Sequence, residues 1–166
     1  AIHEAPAALN KLVKTIAKTD KPQNDTVRKA FYINAYNLLA IHQVIEHYPI
    51  PGPNGVQGFF DGIKNEVYGQ AMTLDELEKG TLLKQFPDAR LHFALICAAN
   101  GCPPMKAGAY KPANLNAQLK AQTRKALSDP TFIRFRQEQR VVHISRIFKW
   151  YKQDFLQEAN SLLGYI

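Results

Sequence analysis

The segment His92–Pro104, which reads HFALICAANGCPP, concentrates the residue types that could carry chemistry in this chain. It holds one histidine and both cysteines of the sequence, and an Asn-Gly pair precedes Cys102. Asn-Gly is a strong turn signal, and the prolines that follow cannot donate ladder hydrogen bonds, so we expect the Cys102 thiol at an accessible bend. A cysteine activated by a histidine base carries out acyl transfer or amide hydrolysis, which makes Cys102 the candidate nucleophile.

The spacing of the residues along the sequence does not decide which histidine would act as the base for Cys102. The continuous apolar run from Leu91 to Cys97 predicts a strand covered on both faces. In such a strand His92 and Cys97 point to opposite faces and lie roughly 16 Å apart, at about 3.3 Å per residue. The candidate nucleophile lies beyond the far end of the strand, so a base from elsewhere, His42 or His143, is an alternative to His92.

Two other fates are open to the cysteines. Cys97 and Cys102 could form a disulfide across the turn in an exported protein, which would remove the nucleophile, or both could be buried thiols. We expect two free thiols. A zinc site needs a second pair of ligands that the sequence does not supply, so we expect no metal and no cofactor. No P-loop, dinucleotide fingerprint, HExxH or GxSxG motif occurs, which argues against nucleotide binding and the common hydrolase mechanisms.

Two asparagines interrupt the apolar stripes of a long predicted helix. Asn34 and Asn37 stand in two adjacent stripes, a pattern typical of a largely buried central helix. An unpaired amide there would cost about 1–3 kcal/mol, so each needs hydrogen-bond partners. They could fix the backbone of a neighbouring loop, or one could face a cleft and orient a polar group of a ligand.

These residues are positioned by a predicted α+β fold, a single domain over residues 1–166. A central buried helix packs on a small, mainly antiparallel sheet, with flanking helices. The predicted helices are Ala5–Lys18, Thr26–His47 with Asn24 or Asp25 as its cap, one opened by a Thr73–Glu76 capping box, Leu115–Leu127, and a last helix capped by Ser145. The predicted strands are Lys64–Gln70, Leu91–Cys97 and a hairpin of Phe132–Phe135 with Val141–Ile144.

The charge of the chain is asymmetric. The formal net charge is +7, and the segment Lys106–Lys152 holds eleven Lys and Arg against two acidic residues. This predicts either a solvated positive face or a surface for an anionic polymer. Nucleic acid is disfavoured as a partner because no recognised motif accompanies the charge. No apolar run is long enough to cross a bilayer, so we expect no transmembrane segment.

Four blocks of the sequence together resemble the domain-of-unknown-function 547 family, and they span about Lys29 to the C-terminus. The blocks are KAFYINAYNLLAIHQVI (29–45), MTLDELEKGTLL (72–83), ARLHFALICAANGCPPM (89–105) and SRIFKWYKQDF (145–155). The resemblance implies these pattern residues: Asn34, Asn37, Glu78, His92, Cys97, Cys102, Trp150, Tyr151 and Asp154. It implies bacterial members that are often exported, and it demotes His42 and His143. A weaker similarity of layout to papain-like and transglutaminase-like enzymes bears on the fold alone.

These observations lead to a polar cleft that binds a small molecule or a peptide. Its expected catalytic residues are Cys102, His92 and Glu78, and its expected ligand-binding residues are Asn34, Asn37, Cys97, Tyr151 and Asp154. A thiol-dependent hydrolase or acyl transferase and a binding module without turnover are both open. The alternative is an anion-binding module that uses residues 106–152. We expect an exported protein, periplasmic or extracellular, with the cytoplasm as the alternative, and the oligomeric state is open.

Overall fold

The computed structural model describes residues 6–99 and 101–166, and a long central helix organises it. Helix α1 (Pro6–Lys18) packs against α2 (Asp25–Glu46). Asn24 caps α2, because its side-chain oxygen accepts from the backbone amide of Val27 at 3.1 Å. The prediction of a buried central helix is confirmed, and Ala5 of the predicted first helix lies outside the described residues. The buried residues of α2 are Ala30, Tyr32, Ile33, Ala35, Tyr36, Leu39, Ala40 and Gln43.

The α+β class is confirmed, but the strands form two separate antiparallel hairpins instead of one sheet. Strands β1 (Asn65–Val67) and β2 (Gln70–Met72) pair with Glu66 opposite Ala71. Strands β3 (Ile133–Arg136) and β4 (Val141–Ile144) pair with Phe135 opposite Val142. The single strand predicted over residues 64–70 is wrong, because the chain turns at Tyr68 and Gly69, whose φ angles are 39° and 73°, and comes back as β2.

The strand predicted over Leu91–Cys97 is also wrong. The chain forms a 3₁₀ helix over Ala89–Phe93, begun by Asp88, whose side chain accepts from the backbone amide of Arg90. The amide of residue 94 donates to the carbonyl of residue 91 at 2.9 Å, a bond within a helical turn. A continuous apolar run fits a buried helix as well as a buried strand, which explains the error. The opposite-face argument that separated His92 from Cys97 therefore does not apply.

The Thr73–Glu76 capping box is confirmed. The carboxylate of Glu76 accepts from the amide of Thr73 at 2.7 Å, and the hydroxyl of Thr73 accepts from the amide of Glu76 at 3.1 Å. The helix it opens runs from 74 to 85 and is π-helical over Glu76–Leu83. The remaining helical segments are two 3₁₀ turns (Pro53–Gly55 and Pro112–Asn114), α3 (Leu115–Leu127), α4 (Ile147–Trp150), α5 (Lys152–Glu158) and α6 (Leu162–Tyr165). The last helix predicted from the sequence is thus two short ones, α4 and α5, and α6 follows them.

Two apolar clusters meet at the 3₁₀ helix Ala89–Phe93. Leu91 belongs to the cluster built around α2. Phe93 belongs to an aromatic cluster in which its ring centroid lies 5.8 Å from those of Phe132 and Phe155. Two residues of this short helix therefore pack into different clusters, and His92 stands between them in the sequence.

Both asparagines of α2 bind backbone. The amide nitrogen of Asn34 donates to the carbonyl of Tyr110 at 2.8 Å, and its oxygen accepts from the amide of the same residue at 2.8 Å. Asn37 donates to the carbonyl of Ala94 at 2.9 Å and accepts from the amide of Ile96 at 3.0 Å. The sequence left two roles open for these asparagines, and in the structure both of them hold the backbone of a neighbouring loop.

We expect Asn37→Ala to lower the free energy of unfolding by at least about 2 kcal/mol, because it leaves a part-buried carbonyl and a part-buried amide without partners. Urea denaturation measures this difference. Asn114→Ala is the matched control, since Asn114 is exposed and makes no side-chain cap bond, and we expect a change within about 0.5 kcal/mol. Equal losses in the two variants would contradict the role given to Asn37.

Candidate functional site

A cavity of about 590 Å³ lies beside the 3₁₀ helix that carries His92, in the size range of small-molecule pockets. Its walls come from α2, the loop around Phe60, the π-helical segment, the chain after Phe93, and α4. The lining residues are Tyr36, Asn54, Phe60, Asp61, Asp75, Glu78, Lys79, His92, Leu95, Cys97, Ile147, Trp150 and Tyr151.

A buried carboxylate, Glu78, is held at this cavity by two tyrosines. The hydroxyl of Tyr151 donates to Glu78 Oε1 at 2.6 Å, and Tyr36 also makes a side-chain hydrogen bond to Glu78. Burial raises the pKa of Glu78, and the two tyrosine hydrogen bonds oppose that rise. Burial, followed by the charge of Glu78, raises the pKa of both tyrosines well above the ordinary value, so both hydroxyls remain hydrogen-bond donors.

His92 stands next to this group and is 3% exposed. Its ring stacks on Tyr151, with centroids 3.9 Å apart, and its Nε2 lies 2.7 Å from Asp154 Oδ2. Burial lowers the pKa of His92, and the bond to Asp154 opposes the shift, so the ring is neutral at pH 7. A carboxylate only accepts, so the proton sits on Nε2 and Nδ1 keeps its lone pair. Nδ1 has no hydrogen-bond partner among the described residues.

The π-helical segment carries the Glu78 carboxylate into the interior beside buried leucines. Leu77, Glu78 and Leu82 are buried, whereas the neighbouring Lys79 is exposed. Lys79 donates to Asp75 Oδ2 at 2.6 Å, so the charge of that carboxylate is paired at the cavity's edge. π-Helical turns are rare and occur often at functional sites.

The two cysteines form a disulfide, with Cα atoms 6.1 Å apart, so the expectation of two free thiols is wrong. In this disulfide-bonded form Cys102 has no thiol to ionise and cannot act as the expected nucleophile. The bend that contains the disulfide is also held by a residue distant in sequence, because the hydroxyl of Ser145 donates to the carbonyl of Gly101 at 2.7 Å. Asn100 of the predicted turn lies outside the described residues. Cys97 lines the cavity, so the disulfide forms part of its wall.

The structure brings together most of the residues that the sequence analysis selected. Those that line the cavity are Glu78, His92, Cys97, Tyr151 and Trp150. Asp154 joins them through His92, and Cys102 joins them through the disulfide. Asn34 and Asn37 are not among the lining residues, and both of their amides are bonded to backbone.

Eight lining residues were not selected from the sequence, among them Tyr36, Phe60 and Asp61. Tyr36 has the spacing of a core residue of α2, so nothing in the pattern marks its hydroxyl as a partner of Glu78. Phe60 and Asp61 follow the long loop rich in Pro and Gly, and the rule that long ordered loops are often functional was the signal that could have drawn attention to them.

The surface outside the cavity gives weaker indications of a functional site. Ten of the eleven basic residues in the segment 106–152 are exposed, and Lys106 is half-buried. Over residues 6–99 and 101–166, no three His, Cys, Asp or Glu side chains are grouped so that they could hold a metal ion. In the same part of the chain no helix has the length and apolar character that crossing a bilayer requires.

Comparison with known proteins gives one match. Residues 21–127 match the model of the family described as "Protein of unknown function, DUF547". The match includes the first three sequence blocks quoted above, whereas the fourth block, which supplies Trp150, Tyr151 and Asp154, lies C-terminal to it. No curated protein and no solved structure matches the chain.

We expect His92 to be neutral and protonated on Nε2, which imidazole ¹⁵N chemical shifts report directly. Asp154→Asn removes the charge that opposes burial, so it should lower the pKa of His92 further, and Glu138→Gln in the exposed β3–β4 turn serves as the control. Because the pKa of His92 is lower in the folded state, the stability it contributes is present above the ordinary value of 6.5 and is lost as pH falls through the folded-state pKa. A His92 proton found on Nδ1 would contradict the pairing with Asp154.

Proposed function

This chain belongs to the DUF547 family, and we propose that it binds a small molecule or a peptide in the cavity lined by Glu78, His92 and Tyr151. The observation that carries the proposal is the buried carboxylate of Glu78, held by two tyrosine hydroxyls at the wall of a 590 Å³ cavity. Burying a carboxylate costs stability, and groups with perturbed pKa values in a cleft are characteristic of functional sites.

Binding without a thiol-dependent step accounts for this chemistry best. The sulfur of Cys102 is bonded to Cys97, so no thiolate nucleophile is available. The remaining polar groups are suited to hydrogen bonding, and aromatic walls from Phe60, Trp150 and Tyr151 supply apolar contact. An apolar pocket with a few fixed polar groups is the usual form of a ligand site.

The basic segment supports its own role less strongly than the cavity does. Exposed lysine and arginine are what any solvated face presents, and charge alone gives no specificity. The cavity instead combines burial, shape and defined hydrogen bonds in one place, which is why we assign the function to it.

We expect ligands of this cavity to depend on Trp150, which lines it and is 61% exposed, so that its truncation costs little stability. In a screen of small metabolites and short peptides, compounds that raise the melting temperature should lose at least about tenfold in affinity for Trp150→Ala. Trp150 is the single tryptophan of the chain, so in the unaltered protein its indole N–H resonance also reports binding directly.

Phe135→Ala is the matched control, because Phe135 is an equally exposed aromatic residue, at 69%, outside the cavity lining. Binding to this variant should equal binding to the unaltered protein. If the screen yields compounds that bind both variants alike, the ligand site lies elsewhere, and if no compound moves the Trp150 resonance, the cavity is not a ligand site.

We also propose that the protein is exported, in agreement with the disulfide between Cys97 and Cys102, since such bonds persist in oxidising compartments. Fractionation of the native host cells, with free-thiol alkylation before lysis, should recover the oxidised form from the periplasm or the medium. Recovery from the cytoplasm with both thiols alkylated would contradict this proposal and leave the cavity proposal unaffected.

A further inference from the structure

The charges at the cavity differ in sign from those of the whole protein. The chain carries a formal net charge of +7, yet three carboxylates, Asp61, Asp75 and Glu78, line the cavity beside one lysine, Lys79. That lysine forms a salt bridge with Asp75, with its Nζ 2.6 Å from Asp75 Oδ2. Among the described residues, neither Asp61 nor Glu78 has a salt-bridge partner. The cavity therefore presents two uncompensated carboxylates within a basic protein.

Acceptors with free capacity line this cavity, beside two donor groups, the amide of Asn54 and the indole N–H of Trp150. The hydroxyl of Tyr151 is already engaged as a donor to Glu78, and the ammonium of Lys79 is engaged with Asp75. His92, whose side chain is 1% exposed, lines the cavity and has an Nδ1 lone pair without a partner among the described residues. A site lined by carboxylate oxygens is complementary to a ligand that donates hydrogen bonds.

The aromatic walls favour the same class of ligand. Tyr36, Phe60, Trp150 and Tyr151 line the cavity, and an aromatic face attracts a cation placed over it, more strongly where water is excluded. The apolar part of these rings also accommodates a hydrocarbon or aromatic body. Carboxylates beside aromatic faces are the chemistry that recognises an organic cation.

We infer that the cavity takes an organic cation, an ammonium or guanidinium group joined to an apolar body, an inference that rests on the proposed ligand-binding function of the cavity. The cationic group is placed near Glu78 and Asp61, and the apolar body lies against Trp150 and Phe60. An ammonium in that position compensates the carboxylate that burial has removed from water.

Three probes of nearly equal shape and different charge test the inference. They are 2-phenylethylamine, 2-phenylethanol and 3-phenylpropionate, and titrations follow the indole N–H resonance of Trp150. We expect the amine to bind at least about tenfold more tightly than the alcohol and the carboxylate to bind most weakly. Glu78→Gln should remove most of the preference for the amine over the alcohol while leaving the affinity for the alcohol unchanged. Asp61→Asn, at an exposed position where folding is not at risk, should weaken the amine severalfold.

The outcomes separate this inference from the function on which it rests. If the alcohol or the carboxylate binds as tightly as the amine, or if the amine is insensitive to both substitutions, the cationic class is wrong and ligand binding stands. If none of the three probes moves the Trp150 resonance and no compound in the wider screen does so, ligand binding itself is wrong.

The ammonium could come from a free amine or from a peptide, and two peptides distinguish these sources. Phe-Gly-Gly-amide presents an α-ammonium, and acetyl-Gly-Lys-Gly-amide presents a lysine side chain. Tighter binding of the first than of 2-phenylethylamine assigns the site to peptide N-termini, and tighter binding of the second assigns it to lysine side chains. Equal or weaker binding of both assigns it to small amines, and fully acetylated Phe-Gly-Gly-amide that bound as tightly as its free form would overturn the inference.

Discussion

Over residues 94–99 and 101–110 the backbone has no strand partner, and the rest of the site depends on how its polar groups are satisfied. Side chains make the hydrogen bonds that a neighbouring strand would otherwise make. Asn37 binds the backbone of residues 94 and 96, and Asn34 binds both backbone polar groups of residue 110. Gln122 donates to the carbonyl of residue 104. Ser145 and the disulfide fix the bend between them. Buried peptide groups need such partners, so these side chains are a condition for the loop to have one conformation.

This arrangement separates the residues that build the cavity from those that face it. Asn37 lies behind the loop and holds it, whereas Leu95 and Cys97, on the same stretch of chain, face the cavity. Glu78 reaches the opposite wall from the π-helical segment, and Tyr151 joins the walls by stacking on His92 and donating to that carboxylate. The cavity is thus closed by contacts between segments far apart in sequence.

The sequence predicted the parts of the fold that local rules govern. The cap of α2 at Asn24, the Thr73–Glu76 box and the β3–β4 hairpin follow from short-range patterns and are all present. The strand assigned to residues 91–97 failed because an apolar run does not distinguish a buried strand from a buried helical turn, and the redox state of the cysteines depended on a three-dimensional distance. The site residues carried by the family resemblance include His92 and Asp154, but their pairing across 62 residues had no local signal.

Glu78 and His92, which both line the cavity, contribute stability in opposite pH ranges, which bears on what the site can hold. Burial raises the pKa of Glu78, so its contribution to stability is present below the ordinary value of 4.5 and is lost as pH rises through the folded-state pKa. Burial lowers the pKa of His92, so its contribution is present near neutral pH and is lost in acid. When Glu78 is ionised and His92 is neutral, the remaining free-energy cost at the cavity is that of a buried negative charge without a cationic partner among the described residues. A cationic group offsets that cost most directly, a neutral hydrogen-bond donor offsets less of it, and an anion adds to it.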